Sequence, residues 1–245
     1  MKQVKSSLLL GIAAAMMMIS SCQSAGEKNA AETPAADTTA KKDVPPPPPA
    51  PGPKMVMSIK HEVADYAKWK STFDNPTRDS IRKSYGLHKY VVARGIQDSN
   101  MVLVAEIMDD PAKAREMAAS QGLKDRMKAA GVKDPVAFDY LDMVMNDTTN
   151  IQQTARVVLK FKVKDWDAWK QGFDRNKHFR VDAGLTDRVV AHTVGDNHAA
   201  TVVFAVSDVD KAMAYFASKD VKDRMVAGGI EGTPTYFYYR IVALY

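Results

Sequence analysis

The sequence has very little cysteine, and this scarcity limits the chemistry it can support. Its 245 residues include one cysteine, Cys22, and five histidines scattered along the chain. One cysteine cannot form an internal disulfide, and widely spaced histidines match no zinc-binding pattern. We therefore predict no disulfide scaffold, no metal centre and no cofactor. Haem stays open as an alternative, because a single axial histidine leaves no sequence pattern.

A strong excess of charge is also missing. The chain has 34 Lys and Arg against 29 Asp and Glu, a net charge of +5, and its basic residues are not clustered. Nucleic-acid binding usually needs a basic patch, so we predict no nucleic-acid partner. The sequence has no Gly-rich phosphate loop, no His-Glu-x-x-His and no Gly-x-Ser-x-Gly motif. This argues against the enzyme classes that these motifs mark.

Residues 1–21 are predicted to be the signal peptide of a bacterial lipoprotein. Lys2 and Lys5 precede an apolar run, residues 6–19, that is too short to span a bilayer comfortably. The sequence Ile-Ser-Ser-Cys that ends at Cys22 resembles the lipobox, in which the cysteine takes a diacylglyceryl group and becomes the mature N-terminus. This resemblance predicts a lipid anchor in the membrane. A signal peptide cleaved elsewhere, with Cys22 incidental, is the alternative.

Residues 22–53 are predicted to be the lipidated cysteine and an extended, disordered tether. They contain hardly any apolar side chain larger than Val44, so they cannot bury a core. The proline run 45–49 favours polyproline II, although it could also bind a proline-recognising domain. Gln23 follows the cysteine where an Asp would favour the inner membrane. We therefore expect an outer-membrane protein of the cell envelope, on either the periplasmic or the surface side.

The rest of the chain contains one motif twice. Val-x-Asp-(Tyr/Trp)-x-x-Trp-Lys-x-x-Phe-Asp begins at Val63 and recurs 100 residues later at Val163. The sequence Lys-Asp-Arg-Met occurs at 124–127 and again 98 residues later at 222–225. The chain therefore contains an internal repeat, and its first copy has two extra residues.

The two copies define a first repeat, residues 54–149, and a second repeat, residues 150–245. Residue periodicity in each predicts the order β-α-β-β-α-β. The two extra residues of the first copy lie near Pro76, which removes a helical hydrogen bond. We therefore expect a broken or restarted helix there. In the second helix, residues 110–130, we expect a break at Gly122.

Such a repeat leaves one face of its sheet uncovered. Right-handed crossovers place both helices on the same side of the four strands. Two repeats can cover both bare faces by packing sheet against sheet. The prediction is an α+β fold in which two tandem ferredoxin-like repeats form an intramolecular dimeric α/β barrel, a pseudo-dimer within one chain.

The repeated motif and the order of elements resemble the dimeric α/β-barrel superfamily, which includes antibiotic biosynthesis monooxygenases. The resemblance covers nearly all of residues 55–245 and implies this fold. For function it implies a range of proteins: cofactor-independent oxygenases, haem-degrading enzymes, haem-dependent peroxidases and proteins without a known reaction. Haem-degrading members use an Asn, Trp and His set, and neither first strand here has an Asn at the matching place.

Polar side chains on apolar strands are the candidate ligand-binding residues. His61 aligns with Phe161 of the second repeat, so the repeats differ there. His61 is also a weak candidate for a catalytic proton acceptor. A hydrogen-bonded core histidine, and drift in one repeat, are the alternatives. The candidate ligand-binding residues are His61, Arg94, Glu106, His192, Tyr236 and Tyr238. We expect His61, Arg94, Glu106 and one parity of the late tyrosines Tyr236, Tyr238 and Tyr239 to line the barrel interior.

Three functions follow from these predictions. The first is a lipid-anchored protein that binds a small apolar or aromatic ligand inside the barrel. The second is a cofactor-independent monooxygenase in which His61 or a tyrosine takes a proton from a phenol. The third is a structural or interaction module with a solid core, which predicts no cavity near the ~300 Å³ usual for binding sites.

Overall fold

A computed structural model describes residues 54–245, which form a closed barrel of eight strands with eight helices. The signal peptide, the lipidated Cys22 and the tether predicted over residues 1–53 lie outside the described residues. Every strand pairing in the barrel is antiparallel. Among residues 54–245, none of the helices combines the length and the apolar character that crossing a membrane requires.

Each repeat contributes four strands and four helices in matching order. The first repeat contains β1 (Met55–Val63), α1 (Tyr66–Phe73), α2 (Pro76–Ser84), β2 (Leu87–Gly95), β3 (Met101–Met108), α3 (Pro111–Ala119), α4 (Gln121–Ala129) and β4 (Val132–Asn146). The second repeat contains β5 (Ala155–Val163), α5 (Trp166–Arg175), α6 (Lys177–Asp182), β6 (Leu185–Thr193), β7 (Asp196–Val206), α7 (Val209–Ala217), α8 (Lys219–Ala227) and β8 (Ile230–Leu244).

The strands close the barrel in the order β1-β3-β2-β8-β5-β7-β6-β4. Each repeat supplies four neighbouring strands, and the repeats meet at the pairs β2–β8 and β4–β6. The predicted fold of two ferredoxin-like repeats in one barrel is confirmed. The helix-bearing sides of the two sheets bury one core cluster per repeat, each around a tryptophan of the repeated motif, Trp69 or Trp169.

The helices begin where the sequence supplies capping side chains. Asp65 and Asp165 each accept a hydrogen bond from a main-chain N–H of the first turn. The predicted restart at Pro76 is confirmed, since α2 begins there and Asn75 caps it. The second repeat also breaks its first helix, at Asn176 and without a proline.

The break predicted at Gly122 is wrong. The interruption lies at Ser120, whose backbone is extended with a ψ of 139°. Its hydroxyl accepts from the N–H of Leu123 and so caps α4. Ser218 does the same between α7 and α8, with Val221 as donor. A serine cap that can end one helix and start the next therefore outweighs the weak helix propensity of a glycine.

Candidate functional site

The strands have two faces, and each face borders a different space. The helix face is the side covered by helices, and the inner face is the side turned into the barrel. In β1 the helix face includes Met57, Ile59 and His61, and the inner face includes Val56 and Ser58. The inner face surrounds a cavity of about 460 Å³. Two smaller spaces lie between the helices and the sheet, one in each repeat.

The prediction that His61 and Glu106 line the barrel interior is wrong. Both lie on the helix face of the first repeat, in a cleft of about 80 Å³. The His61 ring is 5.6 Å from the ring of Trp69 between centroids. The error has a simple cause: alternation separates two faces of a strand but does not say which one the helices cover.

Arg94 and His192 also lie away from the interior cavity. Arg94 Nε donates to the carbonyl of Ser99 at 2.7 Å, and its guanidinium lies 4.0 Å from the ring centre of Tyr66. The His192 Nδ1 lies 3.0 Å from the carbonyl oxygen of Thr193. Because these contacts hold each side chain outside the barrel, the predicted interior position of Arg94 is wrong, and the candidate His192 does not line the cavity either.

The late tyrosines divide between the two faces. Tyr236 and Tyr238 pack into the helix-side core of the second repeat, so these two candidates do not line the interior. Tyr239 has the opposite strand parity, so it lines the interior, as expected for one parity of these tyrosines. It is 5% exposed. Burial raises the pKa of Tyr239, so its hydroxyl is neutral and can donate a hydrogen bond.

The first-repeat cleft contains polar atoms without partners. Both ring nitrogens of His61 and Oε2 of Glu106 find no hydrogen-bond partner among residues 54–245. Burial lowers the pKa of His61 to about 4, so its imidazole is neutral near neutral pH. Burial also raises the pKa of Glu106, against the opposing effect of Arg82, whose Nε lies 2.7 Å from Oε1.

The second-repeat cleft has fewer titratable side chains in its lining and measures about 130 Å³. Phe161 and Phe204 replace His61 and Glu106 there. Arg180, the counterpart of Arg82, forms two hydrogen bonds with Asp187 of 2.7 Å each. The acid therefore lies on β3 in the first repeat and on β6 in the second. Both oxygens of Asp187 accept hydrogen bonds, whereas one oxygen of Glu106 has no partner.

The interior cavity carries charged side chains that the sequence analysis missed. Lys160 pairs with Asp139, and Arg156 and Arg188 also line the cavity. The repeated strands contain a signal for Arg156: it occupies the position of Val56 in the first repeat and shares its strand parity with Lys160. Such a charged residue near the start of a buried strand points to a polar feature on the inner face.

The segment that joins the repeats lies at the edge of this cavity. Residues 146–151 contribute to its lining, as does the C-terminal Tyr245. Arg188 holds the segment, because Nη1 contacts Asp147 Oδ2 at 3.2 Å and Nη2 donates to the carbonyl of Thr149 at 2.7 Å. The connection between repeats thus forms part of the cavity wall.

Neither space suits haem held by a histidine. His61 is in a cleft of about 80 Å³, far too small for a porphyrin, and no histidine lines the larger interior cavity. Within residues 54–245, no group of three or more His, Cys, Asp or Glu side chains could hold a metal ion. Haem held by a histidine therefore does not fit either of these two spaces.

Comparisons with known proteins support the architecture. No protein-family model and no curated protein matches the sequence. A solved structure of an anthrone oxidase-like protein has a TM-score of 0.53 and 13% identity, over 78% of this chain and 92% of that chain. A proposed monooxygenase from Lactobacillus acidophilus NCFM has a TM-score of 0.49 and 11% identity, over 78% and 95%. A second proposed monooxygenase, from Fusobacterium nucleatum subsp. nucleatum ATCC 25586, has a TM-score of 0.48 and 15% identity, over 80% of this chain and 95% of that chain. The closed barrel of two repeats and the likeness to the anthrone oxidase-like structure show that the chain has the ferredoxin-like dimeric α/β-barrel fold.

Proposed function

We propose that this chain is a lipid-anchored cell-envelope protein whose barrel binds one small, mostly apolar molecule in its interior. The observation that carries the proposal is the cavity of about 460 Å³ enclosed by the eight strands. Its volume lies within the range of roughly 300 to 1,000 Å³ typical of ligand sites, and apolar atoms make up most of its surface, with polar and charged side chains on several strands and on the joining segment. This combination is typical of a binding pocket.

A solid structural core explains the interior less well. An eight-stranded barrel is just wide enough for side chains to fill it. Here several inner-face positions hold small residues: Ser58 and Ala105 line the cavity, and Ala93 and Ala191 are buried beside it. Small side chains at these positions leave the space open. The structure therefore favours binding over the structural alternative.

An oxygenase reaction is the second candidate. One neighbour of the same fold is described as anthrone oxidase-like, and the first-repeat cleft is lined by a buried His61 and by Glu106, which has one unpartnered oxygen. A base with a pKa of about 4, however, takes a proton from a phenol only weakly. The small cleft and this weak base make the reaction a poorer fit than ligand binding.

Oxygen uptake tests the second candidate. An oxygenase that uses His61 should consume oxygen in the presence of anthrone, and His61→Phe, which copies the second repeat, should abolish the uptake. Consumption that survives His61→Phe removes this residue from the mechanism. No uptake by the unsubstituted protein contradicts an anthrone-oxidising activity and leaves the binding function unaffected.

The predicted anchor rests on Cys22 and the apolar run before it. In bacterial cells, the full chain should incorporate labelled palmitate and separate with the outer-membrane fraction. Cys22→Ser should lose the label and leave the membrane fraction. A label that remains on Cys22→Ser would contradict lipidation at this residue.

Native mass spectrometry of residues 54–245, isolated from an envelope extract, tests the binding function. We expect an added mass that disappears on denaturation. Ala105→Trp fills the interior cavity and should abolish the added mass, whereas Ala130→Leu fills the first-repeat cleft and should retain it. Thermal unfolding confirms that both variants fold. No added mass, or a mass lost only with Ala130→Leu, would contradict binding in the interior.

A further inference from the structure

The barrel interior contains a buried cation without an acidic partner. Lys160 pairs with Asp139, and Arg188 pairs with Asp147. Arg156 is only 7% exposed, and among residues 54–245 no carboxylate oxygen lies within 4.0 Å of its side-chain nitrogens. Burying an unpaired charge is costly, so an anion that reaches Arg156 gains a strong interaction.

The guanidinium of Arg156 uses only part of its hydrogen-bonding capacity. Nη1 donates to the carbonyl oxygens of Gln153 at 2.6 Å and Ala155 at 2.9 Å. Nε and Nη2 donate to no acceptor among residues 54–245, and Arg156 lines the cavity. These two N–H groups lie on one edge of the planar guanidinium. Such an edge matches the two oxygens of a carboxylate.

The same molecule shows what this edge binds elsewhere. Arg180 donates from Nη1 to the carbonyl of Phe173 at 2.7 Å, and from Nε and Nη2 to the two oxygens of Asp187. Arg156 divides its donors in the same way, with Nη1 on the main chain. At Arg156, however, none of residues 54–245 supplies a carboxylate for the Nε–Nη2 edge.

The polarity of the cavity differs between the two repeats. On β5 and β8, Arg156 stands opposite Tyr239 in the strand register. The equivalent pair on β1 and β4 is Val56 and Leu141, which is entirely apolar. Met143 and Ala191 extend this apolar wall. A molecule with one polar end and an apolar body therefore fits the cavity better than a wholly apolar one.

We propose, building on the function proposed above, that the barrel binds an apolar carboxylate. The Nε–Nη2 edge of Arg156 holds the carboxylate group, Tyr239 contributes a neutral hydroxyl beside it, and the apolar body lies against Val56 and Leu141. Only one end of the cavity has this arginine, so we infer one anionic group per barrel. The ligand class thus follows from one free guanidinium edge in a cavity whose other cations, Lys160 and Arg188, have acidic partners.

Calorimetric titration of residues 54–245 tests this proposal with two probes of equal chain length, decanoate and decan-1-ol. Because hydrogen bonds to charged groups contribute about 1.5 to 3 kcal/mol, decanoate should bind roughly 10- to 100-fold more tightly than the alcohol. In Arg156→Met this preference should fall to about onefold, with the affinity for decan-1-ol unchanged. Arg240→Met makes the same change on an exposed position of β8 and should keep the preference.

The possible outcomes separate the two proposals. Equal binding of both probes by the unsubstituted protein, or a carboxylate preference that survives Arg156→Met, would overturn the carboxylate assignment and leave interior binding intact. No binding of either probe would contradict interior binding of apolar molecules of this size. If Arg156→Met fails to fold, Arg156→Lys keeps the charge but loses the two-pronged edge, and the preference should still fall about tenfold.

Discussion

The two repeats bury the same arginine and provide different acids to pair with it. Arg82 and Arg180 both donate to the carbonyl of a phenylalanine in the preceding helix and both lie over its ring, at 4.0 and 3.6 Å from the centroid. Glu106 on β3 pairs with the first and Asp187 on β6 with the second. The fold needs a carboxylate against this arginine, but either strand can supply it.

The difference has consequences for the space around each pair. In the second repeat both carboxylate oxygens are bonded, and the cleft beside Arg180 is lined by phenylalanines. In the first repeat, one oxygen of Glu106 and both nitrogens of His61 are buried without partners. The second repeat therefore has the better satisfied core, and the first repeat keeps the polar groups that a reaction or a bound water could use.

The largest expected effect tests whether the two repeats are equivalent in their cores. Trp69 and Trp169 are 4% and 5% exposed and pack against Phe73 and Phe173, respectively. Replacing either with Ala should lower the free energy of unfolding by about 3 to 5 kcal/mol. Urea denaturation measures both losses. Losses that differ by more than about 1.5 kcal/mol would contradict equivalent packing.

The next effect tests the two acids. Asp187→Asn places an amide N–H₂ against the donors of Arg180 and leaves a buried charge unpaired, which should cost about 3 to 5 kcal/mol. Glu106→Gln also leaves the buried Arg82 without its ionic partner, but it keeps a carbonyl oxygen for the one contact to Arg82 and puts its N–H₂ where Oε2 has no partner. We expect a smaller loss, about 1.5 to 3 kcal/mol. Equal losses in chemical denaturation would show that the number of bonded oxygens has no effect.

The third effect concerns His61 and pH. Burial lowers its pKa in the folded protein to about 4 from an ordinary value of 6.5, so the unfolded chain binds a proton at a higher pH than the folded chain. The resulting stability is present above pH 6.5 and is lost as the pH falls towards 4. Relative to His61→Phe, the unsubstituted protein should lose about 3 kcal/mol between pH 7 and pH 4. If urea denaturation gives the two proteins parallel profiles of unfolding free energy against pH, the buried, neutral histidine is contradicted.

The smallest effect concerns the break in the first helix of each repeat. Asn75 Oδ1 accepts from the N–H of Thr77 at 2.9 Å and caps α2, whereas Asn176 makes no side-chain cap to α6. Asn75→Ala should therefore cost about 1 kcal/mol, and Asn176→Ala less than about 0.5 kcal/mol. Thermal denaturation of the two variants measures the difference. A larger loss for Asn176→Ala would reverse the assignment of caps.

The repeat made the fold predictable from the sequence. Two copies of one motif specify the order of elements, and the uncovered sheet faces require that the copies pack together. The sequence of β1 alternates, which places Met57 and Ile59 on one face and Val56 and Ser58 on the other, and the structure has the same division. Alternation does not tell which of the two faces the helices cover. For this reason the sequence predicts His61 in the barrel interior, whereas it lies in the first-repeat cleft.

The interior site was harder to predict, because its parts are far apart in sequence. Arg156 and Tyr239 become neighbours only when β5 pairs with β8. The free edge of Arg156 depends on main-chain carbonyls of the segment between the repeats, which carry no sequence signal. The comparison of Arg156 with Val56 was available in the sequence, but it gains a meaning only once the inner face is known.

A crystal structure of residues 54–245 with decanoate tests the central claim most directly. The account predicts the ligand inside the barrel, with its carboxylate within hydrogen-bond distance of Arg156 Nε and Nη2 and its chain against Val56 and Leu141. A ligand located instead between the helices and the sheet, beside His61 or Phe161, would contradict the interior site.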